Sequence, residues 1–431
     1  MTEDFLHYIW KYRLYRTPVL RTTAGESLEV LHPGQHNMHA GPDFMDARIR
    51  LDGRLWAGQV EVHVRASDWA RHEHTGDGRY ANVILHVVYD DDTPVHLRVP
   101  GDLPVLVIRS YMADGLEAGY RRWQERRGML PCAPGLHEVP PRVWIQWKDR
   151  LLISRLERKS DEFLRLLDEL SGDWEEAFYR FLARALGFRV NAGPFDMLAR
   201  SLPRHLVLRH RADLIQVEAL FLGQAGWLSG PLNDAYPVTL SREFEFLRRK
   251  YGLVPLARSV WNTGRIRPAN HPCLRIVQLA RLSARTESLW DTVLSAENPA
   301  MLIEFLRMPV DSYWAGHLWP DDPAADREIR RTGSGAIGRD ALSGLMINTV
   351  AVALAAWGIR RGDHEYLDKS VKIIEFCNAE RNAITRNWQR LGVACAHAGD
   401  SQALIELTNQ YCIRKACLNC MVGHYLIREV P

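Results

Sequence analysis

The hydrophobic period of this chain changes once, and the change decides what the chain can build. Before about residue 110 apolar residues alternate in short runs, whereas beyond residue 143 they recur every third or fourth position. "FMDARIRL" and "LWAGQVEVHV" flank Asp52-Gly53, a dipeptide suited to a tight hairpin turn. "SLEVLHP" reads as a strand stopped by Pro33 and Gly34, and "NVILHVVY" as an interior strand that is apolar on both faces. "VHLRV" and "LPVLVI" continue the sheet. Residues 3–14 (EDFLHYIWKYRL) read as an amphipathic helix, and Ser67-Asp68 starts a short helix through His74. The order is helix, strand, strand, strand, helix, strand. Residues 143–170 then carry the strongest helical pattern, and "WEEAFYRFLARALGF", "LIQVEALFLGQAG", "PCLRIVQLARLSART" and "SQALIELTNQYC" follow as further helices. The expected layout is an α/β domain over residues 1–110, a Pro-rich linker over 111–142, and a large all-α domain over 143–431.

Composition excludes several classes. Apolar residues make up 46% and charged residues 25%, as in ordinary globular proteins. The net charge of +3 is too small to argue by itself for nucleic-acid binding. No apolar run approaches the roughly 18 residues of a membrane span, and Glu3, Asp4 and Lys11 in the first helix do not suit a signal peptide. The expectation is a cytoplasmic protein with no membrane partner. Seven cysteines, an odd number, argue against a disulfide framework.

The stretch "AGPDFMDARIRLDGRLWAGQVEVHVRASDW" places Asp43 after a proline and puts Glu61 and His63 on a strand otherwise made for burial. A buried carboxylate without a partner is costly, so these groups call for water or a ligand. Period 2 sets Glu61 and His63 on one face and Val60, Val62 and Val64 on the other. Asp43 reaches the Glu61 face only if the hairpin loop has three residues, including Arg54, or if a bulge intervenes. Neighbouring His36, Asn37, His39, His72, His74, Asp77 and His86 keep a second reading open, a His/carboxylate transition-metal hydrolase. Two apart near a helix end, His72 and His74 should not share a helical face.

In element order and in Pro42-Asp43 followed by Glu61-Val62-His63, the N-terminal part resembles the PD-(D/E)XK, or restriction-endonuclease-like, nucleases. The resemblance implies Mg²⁺ or Mn²⁺ held by Asp43 and Glu61, with His63 as the third catalytic group where those enzymes carry a lysine. No lysine occurs between residues 12 and 147. The implied function is metal-dependent cleavage of phosphodiester bonds in DNA or RNA. The alternative is a catalytically inactive nucleic-acid-binding or assembly protein that keeps the fold.

The C-terminal "YCIRKACLNCMVGHYL" gives Cys412, Cys417 and Cys420, a C-x4-C-x2-C spacing suited to zinc or an iron–sulfur cluster. A fourth ligand is then needed. Cys377 is the first choice, with Cys395 and His424 as alternatives; buried thiols filling a core are the other reading. "GSGAIG" matches a dinucleotide-binding string without a preceding strand, so it reads as a loop before a helix from Asp340. "WNTGRIRPANHPCLR" gathers Arg265, Arg267 and Arg275, either for phosphate or for pairing with acids of nearby helices. Through "FLHYIWKYRL", "AGPDF", "GQVEVHVRASDW", "NVILHVVYDDD", "VEALFLGQAG" and "YCIRKACLNCMVG", the chain resembles end to end a bacterial family known only as domain of unknown function 2851. That resemblance implies no activity.

Overall fold

The computed structural model describes residues 1–37, 39–92, 103–113, 115–125, 130–308, 310, 312–322 and 336–429. The chain forms two compact units, residues 1–144 with 409–431, and residues 145–408. The first is built on a mixed sheet and the second is helical. The division departs from the expected boundaries. The supposed linker and the C-terminal tail both belong to the sheet unit, because Met112 and Leu116 enter its core and Leu418 and Ile427 pack against it. Such long-range burial leaves no local periodic signal.

Helix α1 (Glu3–Tyr12) opens the sheet unit with Glu3 and Asp4 in its first turn, where acids favour the helix dipole. It buries Phe5, Leu6, Tyr8, Ile9 and Trp10. The strands are β1 (Val19–Arg21), β2 (Ser27–His32), β3 (Gln35–His36), β4 (Phe44–Leu51), β5 (Arg54–Arg65), β6 (Val83–Asp90) and β7 (Val105–Val107), in the spatial order β1-β2-β4-β5-β6-β7 with β3 on β4. Pairing is antiparallel as far as β5 and parallel from β5 through β6 to β7. The sheet curls like a barrel: the Thr23 amide, just beyond β1, donates to the Val105 carbonyl of β7 at 2.8 Å. "VHLRV" lies outside the described residues. One sheet face, with Phe44, Ile49, Val60, Val62, Leu85, Val87 and Leu106, joins the apolar side of α1. Gly58 lets β6 approach closely, since a Cβ there would lie 2.5 Å from Ile84 Cγ2.

Of the two routes open to the β4–β5 hairpin, a three-residue loop or a bulge, the loop is not the one taken. Leu51 pairs with Arg54, so the loop is Asp52-Gly53 alone, and both residues have positive φ, 44° and 82°. Helix α2 (Asp68–Arg71) is also shorter than expected. Glu73 turns the backbone left-handed at φ 56°, and His74 begins a separate 3₁₀ turn.

In the helical unit, the expected segments appear as Trp174–Leu186, Leu214–Gln224, Pro272–Arg285 and Ala398–Glu406. Asp173 and Asp213 cap the first two by accepting backbone N–H bonds. Two buried charges act as hubs. Glu218 accepts from Arg281 Nε at 2.7 Å, Trp314 Nε1 at 2.8 Å and the Tyr236 hydroxyl at 2.7 Å. Arg204 donates to the Ser283 and Thr286 carbonyls, each at 2.6 Å. Arg275 is likewise committed internally, to Gln278 and Asn270, which removes it from the phosphate reading. One stretch, Arg339–Arg361, is after all long and apolar enough to cross a membrane, but its apolar window is 72% buried among the other helices, as in a core helix. Gly333 and Gly335 of the glycine string lie outside the described residues, and a helix follows at Arg339–Leu345.

Candidate metal centre on the sheet

Asp43 and Glu61 meet because of a bulge. From Leu51↔Arg54 back to Ala47↔Gly58 the hairpin keeps one register, and by Phe44↔Val60 it has slipped by one residue. Asp46, at φ 56°, absorbs the slip. Asp43 therefore faces Glu61 directly, while Phe44 and Val60 stay in the core. The contact is reciprocal. The Asp43 amide donates to Glu61 Oε2 at 3.1 Å, and the Val62 amide to Asp43 Oδ2 at 2.9 Å. Asn37 holds the turn leading in, donating through Nδ2 to the Pro42 carbonyl at 3.0 Å and through its backbone to the Asp43 carbonyl at 2.7 Å.

Imidazoles surround this carboxylate pair. His63 Nε2 and His74 Nε2 lie 3.5 and 3.3 Å from Glu61 Oε1. His63 Nδ1 is 2.9 Å from His86 Nε2, and His63 Nε2 is 3.2 Å from His72 Nδ1. The ligand atoms of His63, His72 and His74 all lie within 4.8 Å of one another. The left-handed Glu73 explains how two histidines that could not share a helical face converge: the helix has already ended at Arg71. His86 pairs with Val105 and Glu61 as β-register partners, which turns it to the same face as Glu61. Sequence reasoning missed α1. Its His7 places Nε2 3.1 Å from Asp43 Oδ2, and Glu3 feels the Asp43 charge. Their i, i+4 spacing on the polar side of α1 was the available signal.

Burial sets the charge states. Glu61, His63, His74 and His86 are buried, while His72 is exposed. Burial, followed by the Asp43 charge, pushes the Glu61 carboxyl up to about 8. Burial and then His86, His72 and His74 push His63 down to about 3, and burial and His74 push His86 down to about 4. For Asp43 burial acts upward, but the hydrogen bond and charge of His7 and the Val62 amide outweigh it, so its carboxyl stays below the usual range. His63 is thus a neutral imidazole at neutral pH. It can donate a lone pair, and it cannot supply the positive charge of a lysine.

The thiols fall in different places. Cys412, Cys417 and Cys420 belong to the sheet unit. Cys377, the expected fourth ligand, lies in the core of the helical unit, where its thiol donates to the Ile373 carbonyl at 3.4 Å. Cys395 is in the helical unit too, and His424 Nδ1 is 2.8 Å from the Tyr8 hydroxyl. None of the seven cysteines forms a disulfide.

The chain belongs to the family described as protein of unknown function DUF2851, which matches residues 3–383. No curated protein matches it, and no solved structure does.

Proposed function

Starting from that membership, which brings no activity with it, we propose that the sheet unit is a metal-dependent hydrolase of phosphodiester bonds in DNA or RNA. The observation that carries the reading is the bulge at Asp46, which sets Asp43 opposite Glu61 beside three mutually close imidazoles. The donor set suits a divalent ion: imidazole nitrogens from His63, His72 and His74, and the carboxyl group of Glu61, which burial and the Asp43 charge hold protonated without an ion. Imidazole-rich donors favour Mn²⁺ or Zn²⁺ over Mg²⁺. Such an ion would polarise a phosphate and lower the pKa of a bound water. Asp43, held by the Val62 amide and by His7, is placed to orient a water or a second ion, and exposed His72 marks the side from which substrate would enter. The order α1-β2-β4-β5-α2-β6, an antiparallel meander followed by a strand parallel to β5, favours a nuclease-like reading of this part of the sheet. The test is cleavage of single- and double-stranded DNA and RNA with Mg²⁺, Mn²⁺ or Zn²⁺. Asp43→Asn and Glu61→Gln should each lower turnover at least a hundredfold, and undiminished cleavage by Asp43→Asn would assign the activity elsewhere.

The near-complete burial of Glu61, His63 and His86 favours a second reading, a catalytically silent nucleic-acid-binding or assembly protein. The ion would then staple β5 to the His72–His74 turn. On that reading metal raises thermal stability without any turnover.

A further inference from the structure

The C-terminal thiols have a partner that their spacing could not reveal. Cys412 ends a π-helical turn (Leu407–Cys412), Cys417 opens a 3₁₀ turn (Cys417–Asn419), and Cys420 precedes the helix Met421–Glu429. Backbone turns fold the segment on itself: Lys415, left-handed at φ 52°, donates to the Cys412 carbonyl at 3.1 Å, and the Cys420 amide to the Cys417 carbonyl at 3.2 Å. Gly423 makes the fold possible, because a Cβ there would stand 2.2 Å from the Cys417 carbonyl oxygen. Against the same helix packs the 3₁₀ segment Ala133–Glu138. A Cβ on its Gly135 would lie 3.1 Å from Leu426 Cδ2. Cys132 immediately precedes that segment. Cys420, Cys132 and Cys417 all lie within electrostatic reach of Cys412, so the four thiols share one neighbourhood where the Ala133–Glu138 segment meets the last helix. Cys132, Cys412 and Cys417 are only half-buried, which does not suit core filling.

We propose that Cys132, Cys412, Cys417 and Cys420 form a four-thiolate metal centre that ties residues 130–138 to the C-terminal segment. The chemistry is that of soft thiolate ligands, which take zinc or an iron–sulfur cluster. The centre is separate from the imidazole site and independent of its activity. It also gives the PCAP stretch, read from sequence as linker, a job: it delivers the fourth ligand across some 280 residues of chain.

The test uses full-length protein purified without oxygen. Elemental analysis should find zinc or iron, and a brown colour with sulfide identifies the cluster. Alkylation of native protein followed by mass mapping should show Cys132, Cys412, Cys417 and Cys420 protected together and released together by a chelator. Cys377→Ser should keep the metal. Cys132→Ser should lose it at least tenfold, and Cys132→His, which preserves a ligand, should retain zinc. Folded protein with all four thiols reactive and no metal overturns the proposal. So does protection of the C-terminal three while Cys132 alone reacts, a readout on unmutated protein that does not depend on any variant folding.

Discussion

Glu61→Gln in metal-stripped protein offers a sharp test of the site's electrostatics. The Glu61 carboxyl titrates near 4.5 in the unfolded chain and is pushed up to about 8 in the folded one. Between those values the folded protein holds a proton that the unfolded chain has released. The sign follows: stability contributed by protonated Glu61 is complete below pH 4.5 and is lost as pH rises through 8. At pH 7 the loss is about 3 kcal/mol, and above pH 8 it grows to roughly 5 kcal/mol. Glutamine keeps the shape and an oxygen to accept the Asp43 amide, yet it cannot ionise. The variant should therefore match wild type near pH 4.5 and exceed it by about 3 kcal/mol at pH 7. Hydrogen exchange of the β4 and β5 amides in the presence of chelator reads this locally, without assuming that the whole chain unfolds as one. Added Mn²⁺ or Zn²⁺ should stabilise wild type and leave the variant nearly unmoved. A variant less stable than wild type at pH 7, or a difference that does not change between pH 5 and 8, would mean that Glu61 is ionised and paired with an imidazolium, and the neutral-imidazole description would fall.

His63→Lys separates the two ways of reading the strand: a site built on three imidazoles loses its ion, measured by calorimetric titration, whereas a site that needs a cation keeps or gains activity. Glu218→Ala removes a buried carboxylate from Arg281 and strips acceptors from Trp314 and Tyr236, so it should cost about 3–5 kcal/mol in urea denaturation of the helical unit; a loss below 1 kcal/mol would deny the hub its role. Gly223→Ala drives a Cβ to 2.0 Å from the Phe244 ring and should lower stability by about 1–3 kcal/mol, with pairing to Phe244→Leu recovering part of the loss.

What the sequence by itself determined is the set of local elements. The switch in period separated sheet from helices, Asp52-Gly53 marked the hairpin, and alternation put Glu61 and His63 on one face, because each of these follows from backbone geometry over a few residues. The nomination of Asp43 also came from the sequence, but its route to Glu61 did not. A two-residue loop would have sent Asp43 to the opposite face, and only the left-handed Asp46 restored it. The same holds for His72 and His74, which the left-handed Glu73 turns toward His63. A non-glycine residue with positive φ leaves little trace in composition, since the surrounding fold pays its strain. Partners distant in sequence were beyond local reading altogether. His7 reaches Asp43 because α1 packs on β5, and the segment after Cys132 packs on the last helix, whose N-terminal end follows Cys420. Cys377 had the right chemistry and a plausible helix, yet it is committed to the other core. Spacing lists which ligands are available; packing alone decides which of them meet.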